Sequence, residues 1–310
     1  MNGYPADRVT LREVGLRDGL QISRGFPPTE RKIEWLRKEH ASGVRTFELG
    51  SFLPAARFPQ FADLSALIEA SKALPGARSA ALALNERGLE DALASGVDEI
   101  VCVVSATEEH SRANARRSRD EAVALVARAD AMRKAAGGAA ALNAGIAMSF
   151  GCSIAGAVDP DEVLRLAGRL YEAGADVVGV ADTVGYAGPR QVAALSAGMA
   201  KLAGGAPFIV HLHDTRGAGI ANAAAALDAG CRVLDGALAG LGGCPFAPGA
   251  TGNVAFEDLV FLCERMGFPT GIDLDALRPL RQIIAETMPE EPLYGAVGRA
   301  GPPGNMEWRA

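Results

Sequence analysis

The sequence of 310 residues predicts an α/β fold in which parallel strands and helices alternate along most of the chain. Eight short β-branched or apolar segments recur at intervals of roughly 30 residues, and amphipathic segments separate them. A doubly wound open sheet is the alternative, but no G-x-G-x-x-G follows the first strand to support it. Eight strands, each followed by a helix, are typical of a TIM (β/α)8 barrel.

The eight predicted strands are apolar segments bounded by turn residues, and they comprise residues 9–14, 44–50, 78–84, 98–104, 142–150, 175–182, 208–214 and 231–238. Residues 160–174 illustrate the helices between them, because Pro160 follows Asp159 at a favoured first-turn position and Gly174 closes the segment. We expect one barrel domain over residues 1–288, with additional C-terminal helices. Residues 289–310, rich in Gly and Pro, are expected to form an irregular tail.

The composition is that of a globular enzyme or binding protein. Hydrophobic residues make up 49% of the chain, and a net charge of -6 is spread without any basic run, which disfavours nucleic acid as a partner. The first residues lack the pattern of a secretory signal and no apolar run reaches membrane length, so we expect a cytoplasmic protein with no membrane partner. Five widely spaced cysteines do not indicate a disulfide framework.

The polar residues expected at the carboxyl ends of the strands indicate where chemistry takes place. Barrel enzymes build their sites at these ends. In the sequence, these residues follow or end strands one, two, six and seven, and they are Arg17, Asp18, Glu48, Asp182, His211, His213 and Asp214. The pattern therefore predicts one polar site at one end of the barrel.

Two histidines one residue apart, His211 and His213, suggest a metal. Residues i and i+2 of a strand point to the same face, so both imidazoles can bind one divalent cation. Asp18 would add a carboxylate oxygen, and such a mixed set suits Mg, Mn, Co or Zn. The alternative is one histidine in the core and one at the surface.

The segment GLGGCPFAPGATGN, residues 240–253, is the second informative motif. Its glycines let backbone approach a ligand, and Cys244 is placed where a thiol could lie near a cation. Asn253 could offer a side-chain oxygen to the same metal. The alternative is a flexible connector with an incidental cysteine.

The motifs that the sequence lacks narrow the class of reaction. All five lysines lie in predicted helices or helix starts, which disfavours a Schiff-base aldolase, and neither a G-x-S-x-G elbow nor a P-loop is present. A metal with open positions beside an arginine and a thiol suits the polarisation of a carbonyl and the stabilisation of an enolate. Carbon–carbon bond making or breaking requires both.

Three motifs in this order closely resemble the 3-hydroxy-3-methylglutaryl-CoA lyases, members of a metal-dependent TIM-barrel superfamily. They are EVGLRDGLQ (13–21), HLHDTRG (211–217) and GLGGCPFAPGATGNVAFEDLVFL (240–262). The similarity extends from about residue 9 to about residue 270. The cysteine-containing segment favours the lyases, because the related isopropylmalate and homocitrate synthases share the other elements without it.

The resemblance implies a role for each matching residue. Mg2+ or Mn2+ would be bound by Asp18, His211, His213 and Asn253. Arg17 would neutralise the carbonyl oxygen that becomes an enolate, and Cys244 would act as acid/base. Glu48 and Asp182 would assist proton movement near His211, whereas Gln21 and Asn114 match further substrate-binding positions. For Glu48 the alternative is a salt bridge, and for Asp182 it is a helix cap.

The resemblance implies cleavage of 3-hydroxy-3-methylglutaryl-CoA to acetyl-CoA and acetoacetate by a homodimer that takes an acyl-CoA substrate. Ile22 and Ser23 depart from the family pattern after R-D-G-L-Q, so a related substrate, citramalyl-CoA or a longer isoprenoid glutaryl-CoA, is the first alternative. A condensing synthase and a binding protein on a barrel without activity are the others. The cysteine segment argues against the synthase, and the intact ligand set argues against the inactive barrel.

Overall fold

The computed structural model describes residues 3–242, 251–304 and 307–308. Its eight strands are β1 (Thr10–Glu13), β2 (Thr46–Ser51), β3 (Arg78–Leu82), β4 (Glu99–Ser105), β5 (Ala141–Ala147), β6 (Val177–Asp182), β7 (Ile209–Leu212) and β8 (Val233–Gly236). Each overlaps its predicted segment. The strands are all parallel and close in sequence order, with β8 pairing β1. The predicted TIM barrel is therefore confirmed.

The helices of the described residues surround the barrel. They are α1 (Thr29–Ala41), α2 (Leu64–Lys72), α3 (Glu86–Ser95), α4 (Glu108–Ala115), α5 (Arg119–Ala135), α6 (Pro160–Glu172), α7 (Pro189–Leu202), α8 (Gly219–Asp228), α9 (Phe256–Arg265), α10 (Leu274–Leu277), α11 (Arg281–Thr287) and α12 (Ala296–Ala300). At the start of α6 the Asp159 side chain accepts a hydrogen bond of 2.9 Å from the Asp161 amide, as expected of an N-cap.

The alternation of side chains along β7 decides which face carries the histidines. Val210 and Leu212 belong to the large core between barrel and helices, whereas Ile209 packs in a separate small cluster with Tyr4, Val177 and Val233. Successive residues of a strand point to opposite faces, so His211 shares the inner face with Ile209. The strand thus directs His211 into the barrel.

The C-terminal tail packs on the barrel and contains a helix where an irregular segment was expected. The carboxylate of Asp258 on α9 accepts hydrogen bonds from the amides of Ala296 and Val297, at 2.8 and 2.7 Å, and so holds the first turn of α12. The Tyr294 amide donates to the carbonyl of Ala239, at 2.8 Å. The tail therefore contacts the segment that follows β8. Within the described ranges, no helix is long and apolar enough to cross a membrane.

Candidate metal centre and active site

A single π-helical turn, Gly15–Gly19, carries the first two functional residues directly after β1. The amides of Arg17, Asp18 and Gly19 all donate to the carbonyl of Val14, at 3.1, 2.8 and 3.2 Å. Such turns are frequent at functional sites because they redirect side chains within one turn. At Gly15 a Cβ would come within 2.6 Å of the Glu13 carboxylate, so this tight turn requires glycine.

Backbone pairing beyond the end of β7 brings Asn253 to the histidines. The Asp214 amide donates to the carbonyl of Gly252, at 2.8 Å, and the Val254 amide donates to that of Leu212, at 3.2 Å. His213 and Asn253 are thereby opposite one another in an antiparallel bridge. Two predicted ligands that are 40 positions apart in sequence thus become neighbours.

The candidate metal centre consists of Asp18, His211 and His213, whose ligand atoms lie within 4.8 Å of one another. Oδ2 of Asp18 lies 3.9 Å from Nε2 of His211 and 3.5 Å from Nε2 of His213. Nδ2 of Asn253 donates to the same oxygen, at 2.9 Å. The Asn253 Oδ1 atom is buried and accepts no hydrogen bond from the described residues.

This donor set fits a divalent cation. It offers one carboxylate, two imidazoles and one buried amide oxygen, all of which bind Mg, Mn, Co or Zn in proteins. A buried acceptor without a donor costs free energy unless some group binds it, and a cation at this position would do so. The residues present therefore match the metal requirement expected from the motifs.

The charges around the centre favour an ionised carboxylate. Burial by itself raises the pKa of Asp18, but the Arg17 guanidinium and the two histidines outweigh it and hold the pKa well below its usual range. Burial lowers the pKa of His211, whereas its hydrogen bond to Asp235 and the charge of Asp18 more than compensate, so the net shift is upward. A cation must therefore displace a proton from His211 in acidic solution.

Arg17 lies beside the centre and is held by three side chains. Its guanidinium contacts Oδ1 of Asp18 at 2.6 Å, Oε2 of Glu48 at 2.9 Å and Oε1 of Gln21 at 3.2 Å. Burial opposes the charge, but Glu48 and Asp18 outweigh it, and the pKa of Arg17 is raised. The structure thus brings Arg17, Gln21 and Glu48 together with the metal centre. The salt bridge that was the alternative for Glu48 is present.

Two other predicted residues, Asp182 and Asn114, make no hydrogen bond to this group among the described residues. Burial raises the pKa of Asp182, and the amides of Ala187 and Tyr186 and the charges of His213 and His211 oppose that rise. The Asp182 carboxylate accepts hydrogen bonds from the amides of Tyr186 and Ala187, at 2.8 and 3.0 Å, and so shapes the loop after β6. Asp182 pairs in register with the outward-facing Leu212, which explains this orientation. Asn114 is exposed on α4. Cys244 lies outside the described residues.

Sequence reasoning missed Asp235 of β8. Its Oδ2 lies 3.0 Å from Nδ1 of His211, and its Oδ1 lies 3.0 Å from the Arg12 guanidinium. The available signal was a charged residue at an inward position of each of two apolar strands, Arg12 in β1 and Asp235 in β8. Their pairing depends on the closure of the barrel between the first and last strands.

Comparison with known proteins assigns the family. The HMGL-like family model matches residues 8–284. The chain belongs to the HMGL-like family. The family match covers the whole barrel and all three segments that carry the candidate metal ligands, and the motif resemblance is thereby confirmed.

This HMGL-like chain is similar over almost its whole length to lyases that act on CoA esters. It is 35% identical over 285 residues to the hydroxymethylglutaryl-CoA lyase YngG of Bacillus subtilis, covering 92% of this chain and 94% of the relative. It is 37% identical over 312 residues to the (R)-citramalyl-CoA lyase of Chloroflexus aurantiacus, covering 96% of each. A structure of an HMG-CoA lyase from Acinetobacter baumannii with coenzyme A and 3-methylmalate superposes with a TM-score of 0.89 at 32% identity, covering 98% of both chains.

Proposed function

We propose that this protein is a divalent-metal-dependent carbon–carbon lyase that cleaves 3-hydroxy-3-methylglutaryl-CoA to acetyl-CoA and acetoacetate. The observation that carries the proposal is the cluster of Asp18, His211 and His213 beside the largely buried Arg17, at the carboxyl ends of the barrel strands. Similarity to named hydroxymethylglutaryl-CoA lyases over most of the chain supports the same function.

Asp18, His211, His213 and Asn253 would hold Mg2+ or Mn2+. The cation would supply Lewis acidity that polarises a substrate carbonyl or hydroxyl oxygen. The buried Oδ1 atom of Asn253, which accepts no hydrogen bond from the described residues, would supply the amide oxygen among these ligands.

The reaction breaks the bond between C2 and C3 of the glutaryl chain. A base removes the proton of the tertiary hydroxyl, the C3 oxygen becomes the ketone of acetoacetate, and the bonding electrons pass to C2 and its thioester as an enolate. The fixed guanidinium of Arg17 stabilises the enolate oxygen. A proton transferred to C2 then gives acetyl-CoA.

Three residues are proposed for proton transfer. We propose Cys244 as the acid/base, with Glu48 and His211 next to the reacting atoms. Gln21 and Asn114 are proposed to contact substrate. We also propose that Asp182 assists proton movement near His211. Its carboxylate accepts hydrogen bonds from loop amides, and its part in catalysis stays a prediction.

Cleavage of citramalyl-CoA is the second candidate. The relative that carries this activity in its name is 37% identical over 96% of both chains. Both reactions transfer the electrons of a carbon–carbon bond to a thioester enolate, so the residue roles above apply to either substrate. The homodimer expected from the motif resemblance stays a prediction, which light scattering of the purified protein checks.

The test is a substrate panel. Purified protein loaded with Mn2+ or Mg2+ is mixed with 3-hydroxy-3-methylglutaryl-CoA or citramalyl-CoA, with and without EDTA, and acetyl-CoA release is measured. We expect EDTA-sensitive release from the first substrate and none from the variant His213→Ala. Cleavage of citramalyl-CoA alone would move the assignment to the second candidate. No acetyl-CoA release from either substrate by metal-loaded protein would refute both.

A further inference from the structure

We propose that Asp235 is a positioning residue that fixes both the orientation and the tautomer of His211 at the metal centre. The inference rests on the proposed metal centre and concerns a residue that no sequence motif assigned. Asp235 of β8 and His211 of β7 are paired in register on adjacent strands, so both side chains project to the inside of the barrel. The Oδ2 atom of Asp235 lies 3.0 Å from Nδ1 of His211.

This contact determines which ring nitrogen is available to a cation. An ionised carboxylate only accepts hydrogen bonds, so Nδ1 of His211 must carry the hydrogen. In the neutral imidazole Nε2 then keeps its lone pair, and Nε2 is the nitrogen that faces Asp18. Carboxylates in this arrangement orient metal-binding histidines and raise their basicity.

Asp235 is itself held in place by Arg12. The guanidinium of Arg12 lies 3.0 Å from the Oδ1 atom of Asp235, and the two residues are register partners on β1 and β8. Both oxygens of Asp235 are therefore engaged, Oδ1 by Arg12 and Oδ2 by His211 together with a longer contact of 3.4 Å to Arg12. The carboxylate cannot rotate away from His211 without losing a buried ion pair.

The support continues to the opposite end of the barrel. Arg12 also contacts Oε1 of the buried Glu99, at 3.3 Å. Glu99 accepts further hydrogen bonds from the Tyr4 hydroxyl, at 2.7 Å, and from the Asn143 amide, at 2.8 Å. The side chains of Tyr4, Arg12, Glu99 and Asn143 are all buried. A continuous polar network therefore joins the amino-terminal end of the barrel to His211.

A purely structural role for this network makes a different prediction. If Asp235 only stabilised the barrel, its loss would lower the unfolding temperature and leave the metal affinity of the folded protein unchanged. If Asp235 positions His211, its loss must weaken metal binding in protein that is still folded. Metal affinity therefore separates the two roles, independently of any substrate.

The experiment compares Asp235→Asn with Asp176→Asn by calorimetric titration with Mn2+, beside a thermal melt of each protein. Asp176 directly precedes β6 and accepts hydrogen bonds from the Arg133 guanidinium, at 3.3 Å, and from the Leu142 amide, at 2.8 Å. Its substitution also breaks an Asp–Arg pair, but one without contact to the histidines. We expect Asp235→Asn to bind Mn2+ about 10- to 100-fold more weakly and Asp176→Asn to bind like the wild type. Equal Mn2+ affinities in all three proteins, or equal losses in both variants, would overturn the inference.

A second test uses wild-type protein and so does not require any variant to fold. Imidazole 15N NMR of the Mg2+-loaded protein reports which nitrogen of each of the four histidines carries hydrogen. We expect His211 to carry it on Nδ1, and hydrogen on Nε2 would overturn the inference even if Asp235→Asn fails to fold. The two proposals can fail separately. If neither CoA ester is cleaved but Asp235→Asn alone loses Mn2+ affinity, the proposed lyase is refuted and this inference stands. Wild-type protein that binds no Mn2+ would refute both.

Discussion

The Arg17 guanidinium is positioned before any substrate arrives. Glu48, Asp18 and Gln21 hold it between 2.6 and 3.2 Å, and it is almost buried. Such preorganisation stabilises charge that develops in the transition state. We expect Arg17→Gln to lower kcat for the cleaved CoA ester by about 10²- to 10³-fold, with a smaller change in KM.

Steady-state kinetics of acetyl-CoA release, with Mn2+ titrations beside them, check the Arg17 prediction. Arg87→Gln is the control, because Arg87 is exposed on α3 and, among the described residues, forms ion pairs only with neighbours on its own helix. An unchanged kcat in Arg17→Gln would contradict the enolate role. A lost Mn2+ affinity would instead show that Arg17 serves the metal centre.

Cys244 can be tested although it lies outside the described residues. The sequence motif assigns it the acid/base role, and a serine hydroxyl at this position exchanges protons far less readily than a thiol. We expect Cys244→Ser to retain Mn2+ affinity and to lose most turnover, measured with the same assays. The buried Cys231→Ser is the matched control, since burial raises the pKa of Cys231 to about 12 and keeps it protonated. Normal turnover in Cys244→Ser would remove the thiol from the mechanism.

At the scale of residues, the metal ligands could be predicted from the sequence, but the residues that orient them could not. The spacing of His211 and His213 is a local pattern, because side chains two apart on a strand share a face. Asp235 and Arg12 meet only because the last strand pairs with the first, and their sequence neighbourhoods contain no sign of that register. The orientation of Asp182 likewise depends on its register with Leu212.

Among the elements, the segment after β8 is held between α9 and the tail. Ala239 adopts a left-handed conformation, with φ of 58°, which is strained for a residue other than glycine. Its amide donates to Glu257 of α9, at 3.0 Å, and its carbonyl accepts from the Tyr294 amide, at 2.8 Å. These bonds hold the residues that lead into the segment with Cys244.

Removal of the tail tests this arrangement. We expect a protein truncated after Pro289 to keep its barrel, as judged by circular dichroism, and to lose at least about tenfold in kcat, because the segment leading to Cys244 loses its outer support. Truncation after Gly301 is the control, since it removes Trp308 and its stacking on Phe261 but keeps the Tyr294 contact. Equal activities in the two truncated proteins would contradict a role for Tyr294.

Elements differed in how well the sequence predicted them, for a physical reason. All eight strands were found because each is an apolar segment bounded by turn residues, a signal contained within the strand itself. The helix Ala296–Ala300 was missed because five residues do not nucleate a helix alone, and its first turn depends on Asp258 of α9. A helix that is stabilised by residues of another element carries little helix-forming signal in its own sequence.

In the whole molecule, several carboxyl groups are enclosed between the barrel and the helices. Glu13, Glu39 and Glu257 are buried, and burial raises the pKa of each. The charge of Glu257 adds to the rise for Glu13 and Glu39, whereas Arg281, at 2.7 Å from Glu257, opposes the rise for Glu257 itself. Burial raises the pKa of Glu13 from 4.5 to about 8, although the amides of Leu238 and Gly15 donate to it and work in the opposite direction. Folded protein thus binds this proton more tightly than unfolded protein does.

The sign of the resulting pH dependence follows from that difference. Below about pH 4.5 the Glu13 side chain is protonated in both states and its contribution to stability is complete. As the pH rises towards about 8, the unfolded chain releases the proton first, so the contribution is lost over this interval. Glu13→Gln cannot ionise, and its amide oxygen can still accept from the two backbone amides. We expect its Tm to fall less steeply than that of the wild type between pH 5 and 8, measured by calorimetry, whereas the exposed control Glu69→Gln should follow the wild type. Parallel curves for Glu13→Gln and the wild type would mean that Glu13 is ionised in the folded barrel despite its burial.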